Sequence, residues 1–189
     1  MVLDFSLLAR LTSPNFRRAF VLLFAFFIAP LVTSAQSQVR ALLEEARTLE
    51  KSGDYPRAEQ LYQQALAITP DDSEVLKRLG ILEQTEYKFD ESIAHFRQVL
   101  SRDPHYPQVN FFSGVSYFGK HDYSAAEQSF RQELATPHPH PRCRYYLALA
   151  LQSSGHADGA IAQLDKAVVE NPNDADAYYQ LARMHTDAS

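Results

Sequence analysis

The segment of residues 138–143, His-Pro-His-Pro-Arg-Cys, is the best candidate for chemistry in this sequence. The imidazoles of His138 and His140 and the thiol of Cys143 are ligand types that zinc and other transition metals prefer. Against a metal site, alternating prolines hold the segment extended, and no fourth ligand has an evident source. We therefore favour a loop with solvated histidines and predict neither a metal nor another cofactor.

The rest of the sequence offers no catalytic pattern. It contains no glycine-rich phosphate loop, no nucleophile elbow and no pair of helical histidines four residues apart. Cys143 is the only cysteine, which excludes an internal disulfide. A small buried thiol is the simpler interpretation of it, and a reactive or intermolecular thiol is the alternative. We predict a protein that is not an enzyme.

The charge balance argues against nucleic acid as a partner. The formal net charge is -5, and residues 1–35 carry three arginines and one aspartate, or +2, so residues 36–189 carry -5 - 2 = -7. A phosphate backbone requires a basic footprint, which this acidic part lacks. The apolar content of 46% nevertheless indicates a chain that folds.

A period of 34 residues organises the chain from about Val39 onward. The stretch Ser52–Pro70 contains a turn, an amphipathic helix with small and aromatic residues on one face, and a closing proline. Three columns of this helix recur at the period: Ala58, Ser92, Ala126 and Ala160; Tyr62, Phe96, Phe130 and Leu164; Leu66, Leu100, Leu134 and Val168.

Turns and unit boundaries repeat with the same period. Turn-like segments recur at residues 52–54, 86–88, 120–122 and 154–156, where glycine or a polar residue can end one helix and start the next. At the boundary after Pro70, Asp71 and Glu74 have the spacing of a capping box, with Asp71 as the predicted N-cap.

These columns resemble the tetratricopeptide repeat, a family of helix–turn–helix units stacked into a right-handed superhelix. The resemblance implies an all-α fold, a right-handed α-solenoid of four helix-turn-helix repeats plus a C-terminal helix. The predicted repeats are residues 39–72, 73–106, 107–140 and 141–174, and residues 175–189 form a terminal capping helix.

The sequence departs from the family pattern at two kinds of position. Early in the first helix, where the family favours tryptophan or leucine, it has Leu42, Leu76, Asn110, Arg144 and Tyr178. The third unit replaces a small residue by Glu133 and the closing proline by His138. We expect the junction between units three and four to be the least regular, with no continuous helix from Glu133 through Arg142.

The resemblance implies that the first helix of each unit lines the inside of the superhelix. We call this surface the inner face, and three columns spaced three and four residues apart form it. The first is Leu43, Lys77, Phe111, Tyr145 and Tyr179; the second is Arg47, Ile81, Val115, Leu149 and Arg183; the third is Glu50, Gln84, Phe118, Gln152 and Thr186.

Apolar members of the inner face concentrate in units three and four. We predict a partner-binding groove there, with aromatic anchors and a cationic rim. Its residues are Lys77, Ile81, Phe111, Val115, Phe118, Arg142, Tyr145, Leu149, Tyr179 and Arg183. The alternative is that these side chains pack on one another, or that the N-terminal segment covers them.

The first 35 residues lie outside the repeats and have the layout of a secretory signal peptide. Arg17 and Arg18 precede the apolar run Ala19–Val32, which small residues follow, and cleavage is predicted after Ala35. An uncleaved N-terminal anchor is the alternative. Attachment of a lipid is excluded, since position 36 is Gln rather than the cysteine that a diacylglycerol thioether needs.

These expectations define an exported, periplasmic or secreted adaptor that binds another protein or a peptide segment through the inner face. The resemblance extends to repeat proteins of the bacterial envelope that assist assembly of larger complexes. The alternative is a membrane-anchored structural or oligomerisation module, in which the end helix pairs with a second copy. The sequence leaves the oligomeric state open.

Overall fold

The computed structural model describes residues 34–187, and every regular element in that range is a helix. This confirms the all-α class. The helices fall into two compact units that divide after Pro70, and each unit is considered by itself.

The first unit contains one helical hairpin in its described part. Helix α1 covers residues 34–52 and α2 covers Tyr55–Ile68. Asp54 caps α2 by accepting a hydrogen bond from the Arg57 backbone N–H, and a proline occupies the first turn. The repeated column of α2 is buried at Ala58 and Tyr62.

The second unit contains seven helices. They are α3 (Ser73–Thr85), α4 (Phe89–Arg102), α5 (Val109–Gly119), α6 (Tyr123–Leu134), α7 (Cys143–Ser153), α8 (Ala157–Glu170) and α9 (Ala175–Asp187). Each helix packs mainly against its neighbours in the chain, while α3 also touches α5, and α5 touches α7. The first helices of successive repeats therefore form one layer, which carries the inner face.

Small residues allow the two helices of a repeat to approach closely. A Cβ atom built on Gly80 would lie 2.7 Å from the Phe96 ring, and one on Gly114 would lie 2.6 Å from the Phe130 ring. Both rings are completely buried. Because the two glycine–phenylalanine pairs lie 34 residues apart, one packing solution is used twice.

The tight turns inside the repeats share a left-handed backbone position. Gly53 and Gly155 have φ near +80°, and Tyr87 and His121 have φ of 61° and 62° at the equivalent positions. Glycine adopts this conformation without steric penalty, whereas tyrosine and histidine do not.

The start of α3 differs in detail from the sequence prediction. Its N-cap is Asp72, whose carboxylate accepts hydrogen bonds from the backbone N–H groups of Glu74 and Val75. The predicted N-cap, Asp71, instead binds Arg102 and Gln98 of α4. The observed N-cap lies one residue after the predicted one, because α3 begins at Ser73 and Asp72 directly precedes it.

The junction between the third and fourth repeats is irregular, as predicted. Helix α6 ends at Leu134 and α7 begins at Cys143, so residues 135–142 form a non-helical linker. Glu133 at the end of α6 holds the linker by accepting a hydrogen bond of 2.9 Å from the His140 backbone N–H.

The N-terminal predictions fall mostly outside the described residues. This applies to the apolar run Ala19–Val32, while Ala35 lies within α1. No helix within residues 34–187 has the length and apolar character needed to cross a membrane.

Candidate protein-interaction face

All ten residues predicted for the groove lie in the second unit. Within this unit, α3, α5, α7 and α9 each contribute one residue to the first column: Lys77, Phe111, Tyr145 and Tyr179. Loop residues cover Lys77 and Phe111, whereas Tyr145 is half-buried and Tyr179 is 66% exposed.

Lys77 is covered by a ring from the loop before α5. Its Nζ lies 5.4 Å from the centre of the Tyr106 ring and 3.3 Å from a Glu74 carboxylate oxygen. The hydroxyl of Tyr106 donates to the same Glu74 oxygen at 3.4 Å. With only 12% of its side chain exposed, Lys77 contributes little to a cationic rim.

Phe111 is covered by the linker. The His140 ring stacks on the Phe111 ring with 3.7 Å between ring centres and 12° between planes. Phe112, Phe130 and Tyr146 surround the remaining edges. Phe111 is 4% exposed, so the prediction that it is a solvent-accessible anchor is wrong. The alternative, internal packing, applies at this position.

A buried carboxyl group supports this cover. Glu133 is completely buried, and one of its oxygens has no hydrogen-bond partner. Burial raises the pKa of the Glu133 carboxyl above its ordinary value, although the backbone N–H groups of His140 and Phe111 lower it in part. Burial also lowers the pKa of His140, with a smaller contribution from Arg142.

The open part of the inner face begins at α7. Tyr145 and Leu149 are half-buried on consecutive turns, and Tyr179 of α9 is 66% exposed. The Arg142 guanidinium lies 4.6 Å from the Tyr145 ring centre and donates to Asp176 at 2.7 Å. We call Tyr145, Leu149 and Tyr179, with Arg142 at the edge, the open patch.

The remaining predicted residues flank the open patch or lie farther along the inner face. Val115 and Phe118 of α5 are half-buried and pack against the core of the second unit. Ile81 of α3 is also half-buried. Arg183 of α9 is exposed and donates to the Gln152 side-chain oxygen at 3.4 Å. The structure thus brings Arg142, Tyr145 and Arg183 to the C-terminal half of the inner face.

The covering residues Tyr106 and His140 were not predicted from the sequence. They lie 34 residues apart, and the residues that they cover, Lys77 and Phe111, also lie 34 residues apart. The equivalent position in the next repeat is Asp174. It lies 3.6 Å from Arg142, and as an aspartate it has no ring to place over Tyr145. Comparison of the loops at the 34-residue period would have shown that Tyr106 and His140 are equivalent ring residues.

The His-Pro-His-Pro-Arg-Cys segment does not assemble a metal site. His140 stacks on Phe111, its Nδ1 accepts from the Arg142 backbone N–H at 3.3 Å, and His138 is exposed. The Cys143 thiol is buried and donates to the Phe130 carbonyl, and burial raises its pKa to about 12. Within residues 34–187, no three histidines, cysteines or carboxylates group as metal ligands.

Comparison with known proteins agrees with this architecture. Sequence profiles of the tetratricopeptide repeat match residues 39–82 and 141–184, and a second profile of the same name matches residues 77–140. No curated protein matches the sequence.

Solved structures resemble the chain at low sequence identity. Among them are MamA from Desulfovibrio magneticus RS-1 (18% identity, 80% of this chain and 85% of that one, TM-score 0.73) and pilF from Pseudomonas aeruginosa (18%, 82% and 71%, 0.75). A third is YrrB, described as a TPR protein with an unusual peptide-binding site (15%, 85% and 82%, 0.67). At these identities the likeness concerns the fold. Together with the profile matches over residues 39–184, it shows that the chain belongs to the tetratricopeptide repeat family.

Proposed function

We propose that this protein is a non-enzymatic adaptor that captures a peptide segment of a partner protein on the open patch. The observation that carries the proposal is the graded exposure of the first column, buried at Phe111 and 66% exposed at Tyr179. A tetratricopeptide repeat is a protein-interaction scaffold, and within this one the open patch is where aromatic side chains reach solvent.

The chemistry of the open patch favours an apolar or aromatic anchor on the partner. Tyrosine supplies a large contact area with little loss of conformational entropy on binding, and such residues commonly dominate binding energy. Arg142 is held by Asp176 and Asp174, so it acts as a stacking surface more than as a free charge. YrrB, a structural neighbour, is described as having a peptide-binding site, which is consistent with peptide capture by this fold.

The proposed setting is the cell envelope, where the adaptor assists assembly of larger complexes. Its support is the sequence of the N-terminal segment: arginines, the apolar run Ala19–Val32 and small residues before Gln36. N-terminal sequencing of the protein from its native cell tests this part. A mature chain that begins at Gln36 supports export with cleavage, and one that begins at Met1 contradicts cleavage.

Two adjacent tyrosines allow a matched test of the binding surface. Tyr179 belongs to the open patch, whereas Tyr178, 47% exposed, occupies the position at which Leu76 packs inside an earlier repeat. Capture of partners by the wild-type chain from its native extract is compared with capture by Tyr179→Ala and Tyr178→Ala. Loss with Tyr179→Ala alone supports the proposal, and equal capture by all three proteins contradicts it.

The exposed Tyr178 side chain also favours a second candidate function. In this alternative, α9 pairs with a second copy, and the protein is a structural or oligomerisation module anchored at its N-terminus. Light scattering of residues 36–189 distinguishes the two: a dimer that Tyr178→Ala dissociates supports the module, and a monomer over the accessible concentrations weakens it.

A further inference from the structure

The second unit carries two pockets where the repeat pattern is broken. Leu76 is buried at its position in the second repeat, and the third and fourth repeats have Asn110 and Arg144 at that position. Asn110 lines a pocket of about 350 Å³ together with Leu100, Pro104 and His105. Arg144 lines a pocket of about 360 Å³ together with Leu134, Leu147 and Lys166.

The two pockets meet at the C-terminal end of α6. Gln132 and Ala135 line the first pocket, Arg131 and Ala135 line the second, and Ala135 is exposed between them. A partner segment that crosses Ala135 can therefore place one side chain in each pocket. We call the two pockets and Ala135 the outer saddle.

The second pocket is cationic around an apolar base. Arg131, Arg144 and Lys166 line it, and Leu134 and Leu147 supply apolar surface. Glu127 binds Arg131 and Glu170 binds Arg144, so three positive charges face two negative ones. This local excess of one positive charge stands out in a region, residues 36–189, with a net charge of -7.

Hydrogen-bonding capacity remains at the cations. Arg144 donates through Nε to Glu170 at 2.6 Å and through Nη1 to Gln163 at 3.2 Å, which orients its guanidinium and leaves further N–H groups to donate. Lys166 is exposed and forms no ion pair within residues 34–187. A carboxylate entering the pocket can accept from both side chains.

We propose that the outer saddle is a second binding site, distinct from the open patch, for a partner segment that carries a carboxylate next to an apolar side chain. The apolar side chain occupies the pocket lined by Leu100 and Pro104, and the carboxylate binds Arg144 and Lys166. Because the acidic surface elsewhere repels such a segment, the charge of this pocket determines where it binds.

The test uses a short acidic probe and a neutral probe of the same shape. Acetyl-Leu-Glu-Glu-Leu-amide and acetyl-Leu-Gln-Gln-Leu-amide are titrated into the full mature chain, and backbone amide shifts are followed by NMR. The acidic probe should shift the resonances of residues 132–136 and 163–166, and should bind about tenfold more weakly to Lys166→Glu. The neutral probe should produce much smaller shifts.

Three further variants keep the experiment decisive. Arg144→Leu restores the residue type of Leu76, so it should fold and lose the acidic probe; Lys120→Glu, which alters a cation paired with Asp90, should bind the probe as the wild type does. Tyr179→Ala should also retain the probe, which separates this site from the open patch. Equal shifts with both probes, or binding unchanged in Lys166→Glu and Arg144→Leu, would overturn the proposal.

Discussion

Two side chains at one junction decide how much of the inner face is accessible. Glu133 holds the linker through the His140 backbone N–H, and the His140 ring covers Phe111. The result is that an aromatic residue predicted as a binding anchor serves the core instead. In the proposed function, the partner binds at Tyr145 and Tyr179, which no ring from a loop covers within residues 34–187.

Replacement of Phe111 tests this assignment. Phe111→Ala removes a nearly buried ring that contacts four other rings, so it should lower the free energy of unfolding by about 3–5 kcal/mol. Tyr145→Ala, at a half-buried position of the same column, should have a clearly smaller effect. Urea unfolding followed by circular dichroism measures both. Similar small losses in the two variants would place Phe111 at the surface and contradict the structure.

The buried carboxyl group predicts a specific pH dependence. Because the pKa of Glu133 is raised in the folded protein, its protonated form favours folding. This stability is present in full below the ordinary pKa of 4.5 and is lost as pH rises through the folded-state value. Glu133→Gln keeps an acceptor for His140 but cannot ionise, so the variant should avoid that loss.

The measurement is the free energy of unfolding of both proteins between about pH 4 and pH 8. The difference, variant minus wild type, should grow in favour of Glu133→Gln as pH rises. Since other titrating groups are common to the two proteins, parallel curves would mean that the Glu133 carboxyl does not carry the predicted charge penalty.

The sequence predicted which residues share the inner face but not which of them reach solvent. Column membership follows from the 34-residue period, which assigns Lys77, Phe111, Tyr145 and Tyr179 to one column. Exposure depends on the loop rings of Tyr106 and His140, whose positions follow from the conformation of the chain between helices. A periodic count of helix positions does not contain that conformation.

The turns within the repeats share one backbone feature. Four turns place one residue at positive φ, and glycine occupies two of these positions. The sequence indicated the turns through their glycine and polar residues. The start of α3 was predicted one residue early because Asp71 and Asp72 both suit an N-cap, and only the backbone geometry distinguishes them.

The α7–α8 hairpin provides a matched pair of glycines that tests this description. Gly155→Ala forces a Cβ onto a residue with φ of +80° and should destabilise the protein by about 1 kcal/mol. Gly159→Ala adds a Cβ inside α8 at an ordinary contact distance of 3.6 Å from Leu151, and should stabilise it by about 0.5–1 kcal/mol.

Thermal unfolding of the two glycine variants gives the comparison directly. We expect the two substitutions, four residues apart in one hairpin, to change the stability in opposite directions. If both changes destabilise the protein to the same extent, the left-handed conformation is not the reason for glycine at position 155.

At the scale of the whole molecule, the chain is an acidic repeat protein with two chemically different surfaces on its second unit. The open patch is aromatic, with Arg142 held at its edge, and the outer saddle combines cations with an apolar base. Helix α7 contributes to both surfaces: Tyr145 and Leu149 belong to the open patch, and Arg144 and Leu147 line the outer saddle. One partner segment on each surface would allow the adaptor to hold two chains at once.

The most direct test of the central claim maps contacts of the full-length protein in its native cell. The photo-reactive amino acid p-benzoylphenylalanine is placed at position 145, 149 or 179 of the open patch, or at Val169, which is 77% exposed on α8. After irradiation, cross-linked products are identified by mass spectrometry. We expect the three open-patch positions to give adducts with the same partner protein, and position 169 to give none. Adducts that are equally frequent at position 169, or none from the open patch at all, would contradict it.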